Sequence, residues 1–356
     1  MKSCYSDRRE KARKLMHARS LSALLVTFPA DRFYLSGFEL HDCQCNESSG
    51  CILLTEDGHD KLCTDSRYLE TAKELWDEED ICLYSSDIAK ELNALCRKIA
   101  GTGTIGLDFA AVPHSFFSKF SDGLSVADCG DIVSGLRVIK DEAEIQLMLK
   151  SAELNHQMLA WLPSALKEGM TEAEIAWLIE RYFREHGAEG CSFPSIVAKN
   201  RHAASPHHIP GGTAISENCH ILFDVGCRLN GYCSDQTRTF WFGADPEPRF
   251  LEILGLVQET QQKVLKALRP GMSGSEAHKI ATEFFDSHGC LDAFTHSLGH
   301  GVGLEVHEAP RLSASSNTVL KPGMIVTVEP GLYYPDYGGV RWEHMALITE
   351  DGCRTL

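Results

Sequence analysis

Two rhythms of apolar and polar positions run along this chain, and they change over near residue 140. Before it, short apolar runs alternate with short helical periods. Residues 7–19 have the pattern of an amphipathic helix. "ALLVTF" (23–28) is a strand-like run. "GCILLT" (50–55) and "DKLCTD" (60–65) flank Glu56-Asp57-Gly58, a turn signal, and predict a hairpin. Helical patterns follow near 67–77 and 87–100, and "TIGLDF" (104–109) predicts a strand. This segment therefore reads as mixed α/β with a core of its own. The polar, glycine-containing stretch "DCGDIVSGLR" (128–137) is the expected boundary, dividing the chain into 1–130 and 131–356.

Beyond it the periods lengthen. Residues 140–166 predict a long amphipathic helix, with Ile145, Leu149, Ala152 and Leu159 near one face. A second covers 171–187, where Thr171 and Glu174 form a capping box and Gly187 is placed to end it. Helices are expected at 251–268 and 274–288, with strands between them and a strand-rich end. The fold class is α+β, with a smaller mixed α/β domain ahead of a larger one.

Composition narrows the partners. A formal charge of −16 argues against nucleic acid or an anionic membrane surface as the main partner. The N-terminal residues contain no apolar signal core, and no stretch approaches the ~18 apolar residues of a membrane span. A cytoplasmic protein is expected. The fourteen cysteines follow no regular framework and read as reduced thiols. Cys43, Cys45 and Cys51 lie close together, but their spacing fits no zinc pattern, so they are expected to be small buried side chains.

The chemistry sits in the second half. "FDVGCRLNGYCSDQTRTF" (223–240) places Asp224 and Asp235 on either side of Asn230-Gly231, a two-residue hairpin signal. Opposed positions in such a hairpin have a constant odd sum, and the two aspartates are eleven residues apart. Both side chains therefore point to one face. Two carboxylates on one face of a buried hairpin repel each other unless a cation lies between them. "HSLGHGVGLEVHE" (296–308) adds His296, His300 and His307 among glycines that permit a close backbone approach. Glu329 ends the apolar strand of "IVTVEPGLYY", and Glu343 is expected inside the strand of "GGVRWEHMALIT". Four carboxylates balance two divalent ions, with His300 as a neutral ligand. Oxygen ligands with one imidazole suit Mn²⁺, Co²⁺, Zn²⁺ or Fe²⁺. Two such ions ~3.5–4 Å apart activate water and polarise a carbonyl, which is hydrolytic chemistry.

With its "SDQTRTF", "GHGVGLEVHE", "TVEPGLY" and "GGVRWE" motifs, this set resembles the pita-bread metallopeptidases of the prolidase and aminopeptidase P family. The first half, with "ALLVTFPADRFYLSGF" and "DSRY", resembles the creatinase-type N-terminal domain, so the likeness covers nearly the whole chain. The resemblance implies a pita-bread catalytic domain. It implies that Asp224 chelates one metal, His300 with Glu329 the other, and that Asp235 and Glu343 bridge them. Glu329 would also carry a proton to the leaving nitrogen. His207 of "SPHHIPG", His296 and His307 would hold the scissile carbonyl or its oxyanion, with His208 leaving the register of the first open. Mn²⁺ or Co²⁺ are the expected ions and a homodimer the expected assembly.

Gln236 and Trp342 depart from the family pattern beside two ligands, and alternation turns them away from the ions. "VAKNRHAAS" (197–205) lacks the usual glycine-containing loop. The substrate implied is a small peptide with proline after its N-terminal residue. Arg311 matches a position at which prolidases read the carboxylate of a dipeptide, which favours Xaa-Pro dipeptidase over aminopeptidase P. A non-peptidase enzyme and a non-catalytic binding module on the same scaffold are the remaining alternatives.

Overall fold

The computed structural model describes residues 2–42, 44 and 47–356. Cys43 and Cys45 lie outside the described residues, while Cys51 is a buried free thiol. The chain divides into two compact units, Met1–Arg137 and Val138–Leu356. The division falls one short helix later than the expected 130/131. Residues Asp131–Arg137 are helical, and Arg137 pairs with buried Asp31 of the first unit at 2.7 Å.

The first unit is built on a six-stranded sheet. In chain order its strands are β1 (Leu21–Val26), β2 (Gly50–Thr55), β3 (Lys61–Thr64), β4 (Ile81–Leu83), β5 (Thr104–Leu107) and β6 (Ser125–Asp128). Their spatial order is β4-β3-β2-β1-β5-β6. The hairpin β2–β3 forms as its turn signal predicts, with Gly58 at φ +86°. Central β1 and β2 are almost wholly buried, which is why they read as apolar runs and not as alternation.

The second unit carries four long helices, Glu142–Ala165, Glu172–Glu185, Pro248–Ala267 and Gly274–Ser287. Three start in reciprocal capping boxes, at Asp141/Glu144, Thr171/Glu174 and Ser273/Glu276. On the first helix Ile145, Ala152 and Leu159 are buried as expected, while Met148 is fully buried and Leu149 only half-buried.

Its strands are β7 (Gly190–Cys191), β8 (Ile196–Lys199), β9 (Cys219–Val225), β10 (Cys227–Leu229), β11 (Tyr232–Cys233), β12 (Gln236–Phe242), β13 (Gly299–Gly301), β14 (Glu308–Leu312), β15 (Ile325–Val328), β16 (Gly331–Tyr334), β17 (Gly338–Arg341), β18 (His344–Ile348) and β19 (Cys353–Thr355). The first helix pair packs Met158, Leu162, Ile175 and Phe183 against Ile221, Phe223 and Val225 of β9. The second pair packs Val257, Val264, Ala281 and Phe285 against β15 and β18. Alternation leaves the opposite faces of these strands for polar groups. The expected single strand through Glu343 is instead two. β17 pairs with β16 and β18 with β15, so Trp342 and Glu343 occupy the crossover between sheets.

Candidate metal centre

The aspartate hairpin sets one wall of the site. β9 and β12 pair with Thr237 opposite Asp224, and β10 and β11 with Arg228 opposite Cys233. Both registers share one odd sum, so Asp224, Asp235 and Thr237 face the same way. Asn230 and Gly231 close the turn at φ 50° and 82°. Two of the other three ligand candidates come from strand breaks. Glu329 follows β15, Glu343 precedes β18, and His300 lies in the middle of β13.

His300 is flanked by glycines for a steric reason. A Cβ on Gly299 would lie 2.0 Å from the Thr327 carbonyl oxygen, and one on Gly301 2.2 Å from that of Ala309. The close approach is to neighbouring strands. His300 donates its backbone N–H to Thr327 Oγ1 (3.0 Å), whose hydroxyl in turn donates to Glu329 Oε1 (3.1 Å). The His300 ring donates Nδ1–H to the Gly301 carbonyl (3.0 Å). That bond fixes the tautomer and leaves Nε2 as a bare lone pair. Nε2 faces Asp235 Oδ2 at 3.6 Å and Glu329 Oε1 at 3.3 Å. Burial lowers the His300 pKa to about 4, so no proton of its own relieves this repulsion near neutral pH.

The carboxylates show the same lack of compensation. Burial, then the charges of neighbouring carboxylates, pushes Asp235 and Glu329 well above the usual range. Burial and Asp224 push Glu343 up to about 8, although Thr237 Oγ1 donates to its Oε2 at 2.7 Å. Asp224 Oδ1 is buried with no hydrogen-bond partner among the described residues. Donor atoms of Asp235, His300 and Glu343 lie within 4.8 Å of one another. An orphaned carboxylate oxygen, a bare imidazole nitrogen and mutually repelling carboxylates fit divalent cations.

One cation of the protein's own was missed by sequence reasoning. Arg341, 3% exposed, donates to Asp224 Oδ2 (2.7 Å), Thr237 Oγ1 (2.9 Å) and Tyr333 Oη (2.7 Å). It lies two residues before Glu343, the spacing that shares a face along a strand. Tyr333 was missed as well, and it occupies His296. The His296 Nδ1–H donates to the Ser297 carbonyl (2.7 Å), so Nε2 accepts from Tyr333 Oη (2.9 Å). With both ring nitrogens engaged in this structure, His296 holds Tyr333, which holds Arg341.

The remaining candidates line the same cavity of about 550 Å³. Its walls include His207, His307 and Arg311 together with the four carboxylates, His296 and His300. Arg311 lies opposite His300 in the β13–β14 pair, is exposed, and pairs with no carboxylate among the described residues. Phe193, Pro206, Ile209 and Val306 supply an apolar rim. Both residues of the double histidine line the cavity, and His208 also turns its Nε2 to Glu172 at 3.0 Å. Gln236 is fully buried and bonds His156, and Arg238 lies over the Trp342 ring at 4.6 Å, so both departures serve packing.

Comparison with known proteins agrees with this geometry. Residues 146–350 match the model of metallopeptidase family M24, and residues 8–139 that of the creatinase/prolidase N-terminal domain. The Xaa-Pro dipeptidase of Pyrococcus furiosus is 32% identical over 353 residues, covering 98% of this chain and 97% of that one. The solved structure of an Xaa-Pro dipeptidase from Bacillus anthracis superposes with a TM-score of 0.91 at 30% identity, over 99% of this chain and 97% of that one. That of an X-Pro aminopeptidase from Thermotoga maritima gives 0.85 at 32% identity, over 97% and 96%. Matched along almost its whole length and through both halves, the chain belongs to metallopeptidase family M24, with a creatinase/prolidase N-terminal domain ahead of a pita-bread catalytic domain.

Proposed function

We propose that the protein hydrolyses the bond between an N-terminal residue and proline, and that dipeptides are its preferred substrates. The carrying observation is the convergence of four carboxylates, Asp235 and Glu343 buried and Asp224 and Glu329 half-buried, and the bare His300 Nε2 on one cavity that the unpaired Arg311 also lines. Asp224, Asp235, His300, Glu329 and Glu343 would hold two divalent ions, Mn²⁺ or Co²⁺ by preference. When bound, such ions supply Lewis acidity and an activated water.

The chain's residues do the rest. The Thr327 hydroxyl orients Glu329 through Oε1. Glu329 is placed to take a proton from the attacking water and give it to the leaving nitrogen. That transfer matters for proline, whose nitrogen carries no hydrogen before cleavage. His207 and His307 are the imidazoles left to donate to the carbonyl oxygen as charge builds on it. Arg341 and Thr237 fix the orientation of Asp224 and Glu343. Arg311 on the cavity wall suits a carboxylate one residue beyond the scissile bond.

A panel of Xaa-Pro, Xaa-Pro-Yaa and non-proline peptides, run with stripped and Mn²⁺-reconstituted enzyme, tests the reading. Metal-dependent cleavage confined to proline peptides and fastest on dipeptides is expected. Faster cleavage of Xaa-Pro-Yaa replaces it with the aminopeptidase reading, and full activity of the stripped enzyme removes both.

A further inference from the structure

A second group of ligand-type side chains lies beside the cavity. Glu172 is the first residue of its helix and is completely buried. Its Oε1 faces His202 Nδ1 at 2.8 Å and accepts the Lys199 N–H at 2.9 Å. Its Oε2 faces His208 Nε2 at 3.0 Å and accepts the Gly211 N–H at 3.3 Å. Burial opposes ionisation of this carboxyl, yet the two backbone N–H groups and two imidazoles outweigh it and hold it below the usual glutamate range. The carboxylate is therefore ionised at neutral pH and fixed from two sides by backbone. Two imidazoles converge on it from one segment, their ring centroids 4.4 Å apart.

We propose that Glu172, His202 and His208 form a further divalent-cation site, of the zinc class, separate from the carboxylate-rich centre and built into the segment that carries His207. The donor set is one carboxylate and two imidazoles, which is a set that holds Zn²⁺ with a position left open. One donor atom from each residue lies within 4.8 Å of the others. Tetrahedral zinc with bonds of ~2.0–2.1 Å separates its ligand atoms by roughly 3.3 Å. The nitrogen–oxygen separations of 2.8 and 3.0 Å need to open only slightly to admit the ion. The His202 side chain is 40% exposed and that of His208 19%, so an ion and a water reach the site from solvent. The carbonyls of Gly211 and Thr213 already accept the first N–H groups of the same helix. An ion here would add a third tie across 199–213, the segment in which His207 faces the peptide cavity.

The test is the zinc content of the full chain after equilibrium dialysis against micromolar Zn²⁺. Wild type, His202→Ala and Glu172→Gln are compared. His202 is well exposed, so its variant is the one expected to fold unchanged, and circular dichroism checks it. Wild type should hold one equivalent more than either variant. Because a difference between proteins is read, the result does not depend on how many ions the main centre takes. Asp235→Ala should lower the total and preserve the difference. Equal zinc in wild type and His202→Ala overturns the proposal, and so does an extra equivalent that survives Glu172→Gln.

Discussion

Replacing Glu343 by glutamine should stabilise the metal-free protein while disabling the loaded one. Glu343 is 2% exposed, and its carboxyl is raised from 4.5 to about 8 by burial and by Asp224. A carboxyl with a raised folded pKa contributes its full stability below the unfolded value and loses it as pH rises through the folded value. At pH 7 the unfolded chain has given up this proton and the folded chain has kept it. At ~1.4 kcal/mol per pH unit between 4.5 and 7, the folded state is penalised by about 3 kcal/mol. Glutamine removes the charge, keeps the shape and still accepts from Thr237 Oγ1. Urea unfolding of chelator-stripped protein, followed by tryptophan fluorescence, reads the effect. The variant should match wild type below pH 4.5, gain stability steadily above it, and level off near pH 8 at its largest advantage. Saturating Mn²⁺ should reverse the order, because the variant lacks a ligand. A stripped variant less stable than wild type at pH 8, or a gap that ignores pH, would refute the claim that repulsion among these carboxylates dominates the site.

Three further outcomes follow from the same geometry. His300→Ala should lower metal content, whereas His307→Ala should keep it and lose ~10²–10³ in turnover, the usual loss for an oxyanion partner; inductively coupled plasma analysis beside kcat separates them. Arg311→Ala should raise KM for Xaa-Pro but not for Xaa-Pro-Yaa. Arg311 is exposed, so solvent screening holds the effect near ~1 kcal/mol, roughly fivefold, well under a buried charge-assisted pair. Gly299→Ala should cost ~1–3 kcal/mol in stability and also weaken metal binding, because its Cβ would strike the carbonyl of Thr327, whose hydroxyl orients both His300 and Glu329; thermal unfolding with and without Mn²⁺ reads both effects.

Much of the centre could be read from the chain because β-strand parity is exact arithmetic. An odd separation across Asn230-Gly231 was enough to place Asp224 and Asp235 on one face, and the observed register has that parity. Parity also marks Thr237, two residues beyond Asp235, but a threonine in a strand carries no chemical alarm. Arg341 escaped for a related reason. Beside Glu343 it reads as a surface ion pair, and only the β16–β17 pairing brings it to Tyr333 and Asp224. The chain break at Trp342 was hidden because "GGVRWEHMALIT" is continuous in pattern while its two halves pair with different sheets. In sequence Glu172 is one more acid in a first helical turn, a place where acids are common. Its partners lie 27 to 39 residues away, beyond any local period.

The five residues assigned to the ions are spread from 224 to 343, over separate strands and strand breaks. No short peptide of this chain contains more than a part of the set. An unfolded or half-folded chain therefore has little to offer a hard cation, and affinity appears only when the sheets that carry these residues have come together. Uptake of metal is in that sense a proofreading step, since it reports completed tertiary assembly and rewards no earlier stage. A chain that stalls before the crossover at Glu343 is paired leaves its aspartates hydrated and its ions in solution. Supplying metal early should then leave the folding rate unchanged and slow only unfolding.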